Sequence, residues 1–155
     1  MDDLSLYGEP AELPSTEAAR LALLLALDDP LGFDDIALAG QVGSGLPTRS
    51  ATALAHVLGR AEIIGPVIPE PTLRRARQAQ RPLSRAHSER LYELSRVIDA
   101  AGRAFHGDKE KLRAFLTRPH PMLDDQSPFD LARSSSAGAT AVRHLLARAE
   151  AGMPV

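Results

Sequence analysis

Ser84–Gly107 reads SRAHSERLYELSRVIDAAGRAFHG. Leu91, Leu94, Val97, Ile98, Ala101 and Phe105 recur there at steps of three and four, which is the spacing of one helix face over about six turns. Ser84 is placed to cap the N-terminus, and Gly107 to end the helix. No other stretch in the chain is as regular, and nowhere does an apolar/polar alternation of period two run for long. The helical period therefore sets the fold class as all-α, with seven or eight helices and no internal repeat of 20–50 residues.

The neighbouring segments extend this pattern. Downstream, Asp108 caps a helix with Leu112, Phe115 and Leu116 on its apolar side, and Pro119 closes it. Pro128 to Ala132 allows one further turn. Ser134-Ser135-Ser136 then leads into a last helix with Ala139, Val142, Leu145, Leu146 and Ala149 on one side and Gly152 just past its end. Upstream, residues 1–14 are acidic and broken by Gly8, Pro10 and Pro14, a loose leader. Ser15 is read as the cap of a helix running through Leu27, and Asp28-Asp29-Pro30 stops it. A second helix spans about Phe33 to Gln41, Gly43–Pro47 breaks the chain, and Thr48 caps a third through Leu58. Gly59–Arg75 reads as a short helix, a turn and a short basic helix, with a short strand as the alternative for its β-branched residues. Three regions result: an acidic helical extension over 1–47, a helix-turn-helix-like region over 48–83, and the long helix with a small helical domain over 84–155.

The 155 residues include no Cys and no Trp, with 44% hydrophobic and 25% charged. Without Cys there is no disulfide scaffold, thiolate zinc site or Cys nucleophile, and the composition fits a reducing cytoplasm. Met1-Asp2-Asp3 has the wrong sign for the start of a signal peptide. The longest apolar run, Leu21 to Leu27, is far short of the ~20 residues that cross a bilayer. A soluble cytoplasmic protein without a membrane partner is expected.

Net charge is −2, but the charges are segregated. Residues 1–48 hold nine acids against one Arg, whereas residues 49–118 hold fourteen Lys/Arg against seven acids. A basic middle of this kind suggests an anionic partner. Its centre is Thr72, Arg74, Arg75, Arg77, Arg81 and Arg85. On a continuous helix Arg74, Arg77 and Arg81 share a face, and guanidinium forks suit phosphate oxygens and guanine edges. A solvated face or a protein-binding patch would use the same residues. Gly65-Pro66 interrupts what a standard motif keeps as a continuous first helix, whereas Pro71 is tolerated at a helix start.

Enzyme signals are weak. His56, His87, His106, His120 and His144 form no metal-ligand spacing, and no H-E-x-x-H occurs. The pairs Asp28-Asp29, Asp34-Asp35 and Asp124-Asp125 sit in turns, where acids serve as caps. Gly40–Gly45 lacks the strand and the Lys of a phosphate loop. Ser134–Gly138 offers either a helix N-terminus for an anion or ordinary capping by Ser136. No catalytic residue, metal or cofactor is expected.

From about Ile68 onward the chain resembles the Xre/MbcA/ParS-type antitoxins with a C-terminal toxin-binding domain. Ile68–Arg75 looks like the start of that family's recognition helix, and Pro82-Leu83-Ser84 with Ser88–Leu91 looks like the beginning of its long linking helix. Ala104–Lys111 with Phe115-Leu116 resembles its A-x-F-G-D-x-E-K-A…W-L stretch. His106 is an insertion-like variant of that turn, and Phe115 stands in place of the Trp. Pro119, Leu123, Pro128 and Leu131, then Gly138, Val142, Leu145-Leu146 and Gly152, follow the remaining pattern.

The resemblance implies an antitoxin of a two-gene system. Its partner is a RES-domain toxin that uses NAD, either degrading it or ADP-ribosylating a target. The antitoxin covers the NAD cleft with its C-terminal domain and tail, in a complex of two antitoxins and two toxins. Its contacts would be Leu123, Phe129, Gly138, Arg143, Arg148, Met153, Pro154 and Val155, with the last three as a plug or simply a frayed end. It also implies a homodimer that represses its own operon through Thr72, Arg74, Arg75, Arg77 and Arg81, on half-sites about 34–36 Å apart. A stand-alone repressor without a toxin is the alternative, and a small all-α enzyme a distant third. On this reading Arg74→Ala and Arg77→Ala each weaken DNA binding and lower the slope of log affinity against log salt by about one, and titrations at several salt concentrations check it.

Overall fold

The computed structural model describes residues 3–155. The signal-peptide argument from Met1 and Asp2 lies outside the described residues. Among them the protein has nine α-helices and no strand: α1 (Glu17–Leu24), α2 (Asp35–Ser44), α3 (Thr48–Leu58), α4 (Arg60–Ile63), α5 (Glu70–Gln78), α6 (Arg85–Ala104), α7 (Lys109–Thr117), α8 (Pro128–Ser134) and α9 (Ser136–Glu150). The fold is all-α. Three short 3-10 turns punctuate it at Asp3–Gly8, Pro30–Gly32 and Pro121–Leu123. The count exceeds seven or eight because the one-turn α4 and the seven-residue α8 stand as separate helices. Of the alternative strand near Ile64 only an isolated bridge to Ile68 exists, where Gly65 N–H donates to Ile68 O at 2.8 Å. No helix among the described residues is long and apolar enough to cross a membrane.

Contacts divide the chain into two compact units, and the division falls within α6. One unit is Pro14–Ser95. Its core collects Leu21, Leu24 and Leu25 of α1, Leu54, Val57 and Leu58 of α3, and Ile63, Ile68 and Leu73 around α4 and α5. Leu91 and Leu94 of α6 join them, as the periodicity of that helix demands. Buried hydroxyls in this core are matched: Ser50 Oγ donates to Leu25 O at 2.6 Å, and Leu46 N–H donates to Ser88 Oγ at 2.7 Å. Arg20, nearly buried, donates to Pro14 O and Ser15 O.

Several helix ends differ from the sequence expectation by a residue or more. α1 is capped by Thr16, whose side chain accepts from Ala19 N–H, and it stops at Leu24 rather than Leu27. α2 starts beyond Asp34, which accepts from Ala37 N–H at 2.8 Å, and runs on to Ser44. Thr48 is the first residue of α3 and not its cap, since Pro47 occupies that place. Ser84 does cap α6, accepting from His87 N–H at 3.2 Å.

The other unit comprises Met1–Leu13 and Arg96–Val155. The acidic leader is not loose. Its 3-10 turn buries Leu4 and Tyr7, and Tyr7 Oη donates to the buried Asp99 carboxylate of α6 at 2.6 Å. An apolar side chain every third residue suffices to anchor a 3-10 turn, too short a signal to stand out among acids and prolines. Removing the phenol hydroxyl leaves a buried carboxylate short of a donor. Tyr7→Phe is expected to lower stability by about 1–3 kcal/mol, measured by urea denaturation.

Candidate functional site

Two surfaces carry the residues singled out from the sequence, one in each unit. The C-terminal one is built by α7, α8 and α9. Phe105, Phe115 and His120 form a half-buried aromatic group, with ring centroids 5.4 Å apart for the two Phe and 5.7 Å for Phe115 and His120. His120 Nδ1 also accepts from Met122 N–H at 3.2 Å, which caps the 3-10 turn ending at Leu123. Ser127 caps α8 through Asp130 N–H, and Ser135 caps α9 through Gly138 N–H at 3.0 Å. Ser135, rather than Ser136, fills that role because its extended backbone (φ −167°) brings Oγ over the first turn. The serine run is thus a cap and not an open anion site.

α8 and α9 meet at a very close approach. A Cβ on Gly138 would lie 2.0 Å from Leu131 O. Around it Phe129, Ala132, Ala139, Val142, Leu145 and Leu146 are buried. Of the expected toxin contacts, Leu123 (9% exposed), Phe129 (4%) and the buried Gly138 therefore lie inside this unit and shape its surface from behind. The accessible ones are Arg143, Arg148 and the tail. Arg143 is half-buried and Arg148 exposed, and neither makes an ion pair or side-chain hydrogen bond among the described residues. Their neighbours are spent differently: Arg103 pairs with Glu150 at 2.8 Å and Arg133 with Asp130 at 3.1 Å.

The tail is better fixed than a frayed end. Gly152 has φ +81°, Gly152 N–H donates to Ala149 O, and Met153 N–H donates to Arg148 O at 2.9 Å. This is the paired closure of a Schellman motif, and it needs a left-handed residue at Gly152. Met153 (52% exposed) and Val155 (47%) project apolar groups beyond it. Met122, 47% exposed on the 3-10 turn, is an apolar surface residue of this unit that sequence reasoning missed. Its place in a Pro-His-Pro-Met turn gives no periodic signal.

In the other unit, α4, a tight turn and the basic α5 follow in order. Thr72 is half-buried, and Arg74 and Arg75 are exposed. Arg74 pairs with Glu70 on the same helix at 3.3 Å, a surface contact easily exchanged for another anion. The single face of Arg74, Arg77 and Arg81 does not form. α5 ends at Gln78, Gln80 turns left-handed (φ 50°), and Arg81 leaves the helix. Arg77 bends back and donates to Thr52 Oγ1 on α3. Of the arginine pair tested by salt dependence, both are exposed, Arg74 paired with Glu70 and Arg77 engaged with Thr52.

The remaining candidates serve structure. Asp34 is a cap, Asp28 pairs with Arg49 at 3.4 Å, and Asp124 and Asp125 occupy left-handed turn positions. Among the described residues no group of three or more His, Asp or Glu is placed to hold a metal ion.

Residues 100–152 match the model of the family described as the antitoxin Xre/MbcA/ParS C-terminal toxin-binding domain. The match begins in the last turns of α6 and ends at the glycine that closes α9. No curated protein matches the chain. Gly138→Ala is expected to open the α8–α9 contact and cost about 1–3 kcal/mol or more by overpacking, seen as a lowered denaturation midpoint.

Proposed function

We propose that the protein is an antitoxin that binds and silences a RES-domain, NAD-using toxin. The observation that carries the reading is the coincidence of two features in one segment. Residues 100–152 match a toxin-binding family, and the same unit presents Arg143 and Arg148 without side-chain partners and the exposed apolar Met153 and Val155.

The mechanism is steric and electrostatic. An inhibitor of an enzyme cleft needs an anchor that fills the concavity and charged groups that orient it, and no chemistry of its own. Met153 and Val155 supply apolar anchors, and the Schellman closure already orders the backbone as far as Met153, which lowers the entropy lost on docking. Arg143 and Arg148 supply guanidiniums. A half-buried guanidinium without an internal acceptor gains more from a partner carboxylate or phosphate than a solvated one does. The buried Phe129, Leu123 and Gly138 hold the surface in shape. Occupying the NAD site excludes the substrate, so the toxin is silenced without being modified.

The autorepression reading uses the other unit. α4, its turn and α5 follow the order of a helix-turn-helix, and Arg74 and Arg75 on α5 are exposed beside a half-buried Thr72, available to duplex DNA. A dimer with two such helices, bound to two toxins as a 2:2 complex in the cytoplasm, completes the proposal.

Deleting Gly152–Val155 separates the antitoxin from a stand-alone repressor. The truncated chain is expected to lose rescue of cells expressing the toxin while keeping its affinity for promoter DNA. Growth assays and a gel-shift titration read the two arms. Full rescue by the truncated chain would remove the tail from the mechanism.

A further inference from the structure

Arg77, near the end of α5, and Arg81, just beyond it, are exposed and line a groove within the Pro14–Ser95 unit. The groove has a volume of about 650 Å³, within the range that takes a small molecule. Its charge is one-sided. Arg49, Arg77 and Arg81 line it against a single acid, Asp28, and that acid is already paired with Arg49. Arg49 also donates to Ala26 O at 2.6 Å, so its guanidinium is held in place. Arg77 is held by Thr52 with most of its donors still unused. Arg81 makes no ion pair or side-chain hydrogen bond among the described residues.

The rest of the lining suits the same ligand. α3 begins at the groove with Thr48, and its cap position is Pro47, which has no side-chain acceptor for the first-turn amides. Those amides add positive potential beside the arginines. Gln80 offers neutral hydrogen bonding, and Phe33, half-buried, offers an aromatic surface. Guanidinium forks, two of them held by Ala26 O and Thr52, are groups that recognise a phosphate, and a flat aromatic beside them accepts a base.

We propose that this groove binds a small phosphorylated ligand, its phosphate held between Arg77 and Arg81 and a nucleoside or nothing further lying toward Phe33. The site uses none of the residues proposed above to contact a toxin, and neither Arg74 nor Arg75. It assigns Arg77 and Arg81 to a ligand rather than to duplex DNA, and it does not depend on the antitoxin reading.

The test is calorimetric titration of the full chain with AMP and, separately, with inorganic phosphate. AMP is expected to saturate one site per chain. Arg81→Ala is expected to weaken it by about tenfold or more, and Arg81→Lys by less, because the charge remains but the fork is lost. Arg60→Ala, an exposed arginine of α4 outside the lining, leaves the affinity unchanged. Thermal melts confirm that the variants fold. If phosphate competes with AMP at equal affinity, the phosphate alone is recognised; if AMP binds more tightly, the nucleoside contributes, and either result supports the site. The proposal is overturned if neither probe saturates. It is equally overturned if Arg77→Ala and Arg81→Ala bind AMP like the wild type, or if only duplex DNA binds and both variants weaken it.

Discussion

The C-terminal unit depends on one backbone approach that tolerates no side chain. At Gly138 the first turn of α9 passes so near Leu131 O that a single added carbon would overlap it. That approach lets the short α8 and the long α9 enclose Phe129, Ala132, Val142 and Leu146 with few large side chains. In a chain with 4% aromatic residues, small residues at a tight crossing replace the bulk that aromatics otherwise provide. Dispersion contacts rise steeply as surfaces close, so the glycine contributes by letting other residues touch. The Ser135 cap and the Gly152 closure then fix both ends of α9, and with them the direction in which the terminal residues leave.

How the arginines are used gives a second organising constraint. Exposed pairs such as Arg85–Glu89 and Arg133–Asp130 add little stability in water. The informative arginines are those the protein leaves unsatisfied, the half-buried Arg143 in one unit and the exposed Arg81 at the groove of the other. A sheltered cation with open donors favours an external anion by charge-assisted hydrogen bonds. The buried Arg20 makes the contrast, since its guanidinium is satisfied by Pro14 O and Ser15 O.

The stretch Ser84–Gly107 was readable because an amphipathic period persisted over many turns, and Leu91, Leu94, Val97, Ile98 and Ala101 are all buried. Caps that use Asp or Ser immediately before a helix were readable at Asp108 and Ser84, which accept from Lys111 and His87 N–H. Where several hydroxyls or acids competed, as at Ser134–Ser136 or Ser15-Thr16, local chemistry could not choose and backbone direction did. The burial of Leu4 and Tyr7 was not legible, because their partner Asp99 lies 92 residues away and an isolated 3-10 turn has no periodic signature. Arg81 was misplaced on the face of Arg74 and Arg77 because helix periodicity was extended past Gln78, where the chain leaves the helix through a left-handed Gln80. At the C-terminal surface, residue types were legible while depth was not: Phe129 and Leu123 read as anchors and proved to be core.

The central claim is that the unit ending at α9 captures a toxin. The most direct measurement is to express this chain with the adjacent reading frame, tag only one of the two, and determine the mass and stoichiometry of what elutes. The account predicts a stable complex with equal numbers of both chains, and a neighbour that stops growth when expressed alone. A tagged chain that elutes without its neighbour, beside a neighbour harmless on its own, would contradict it.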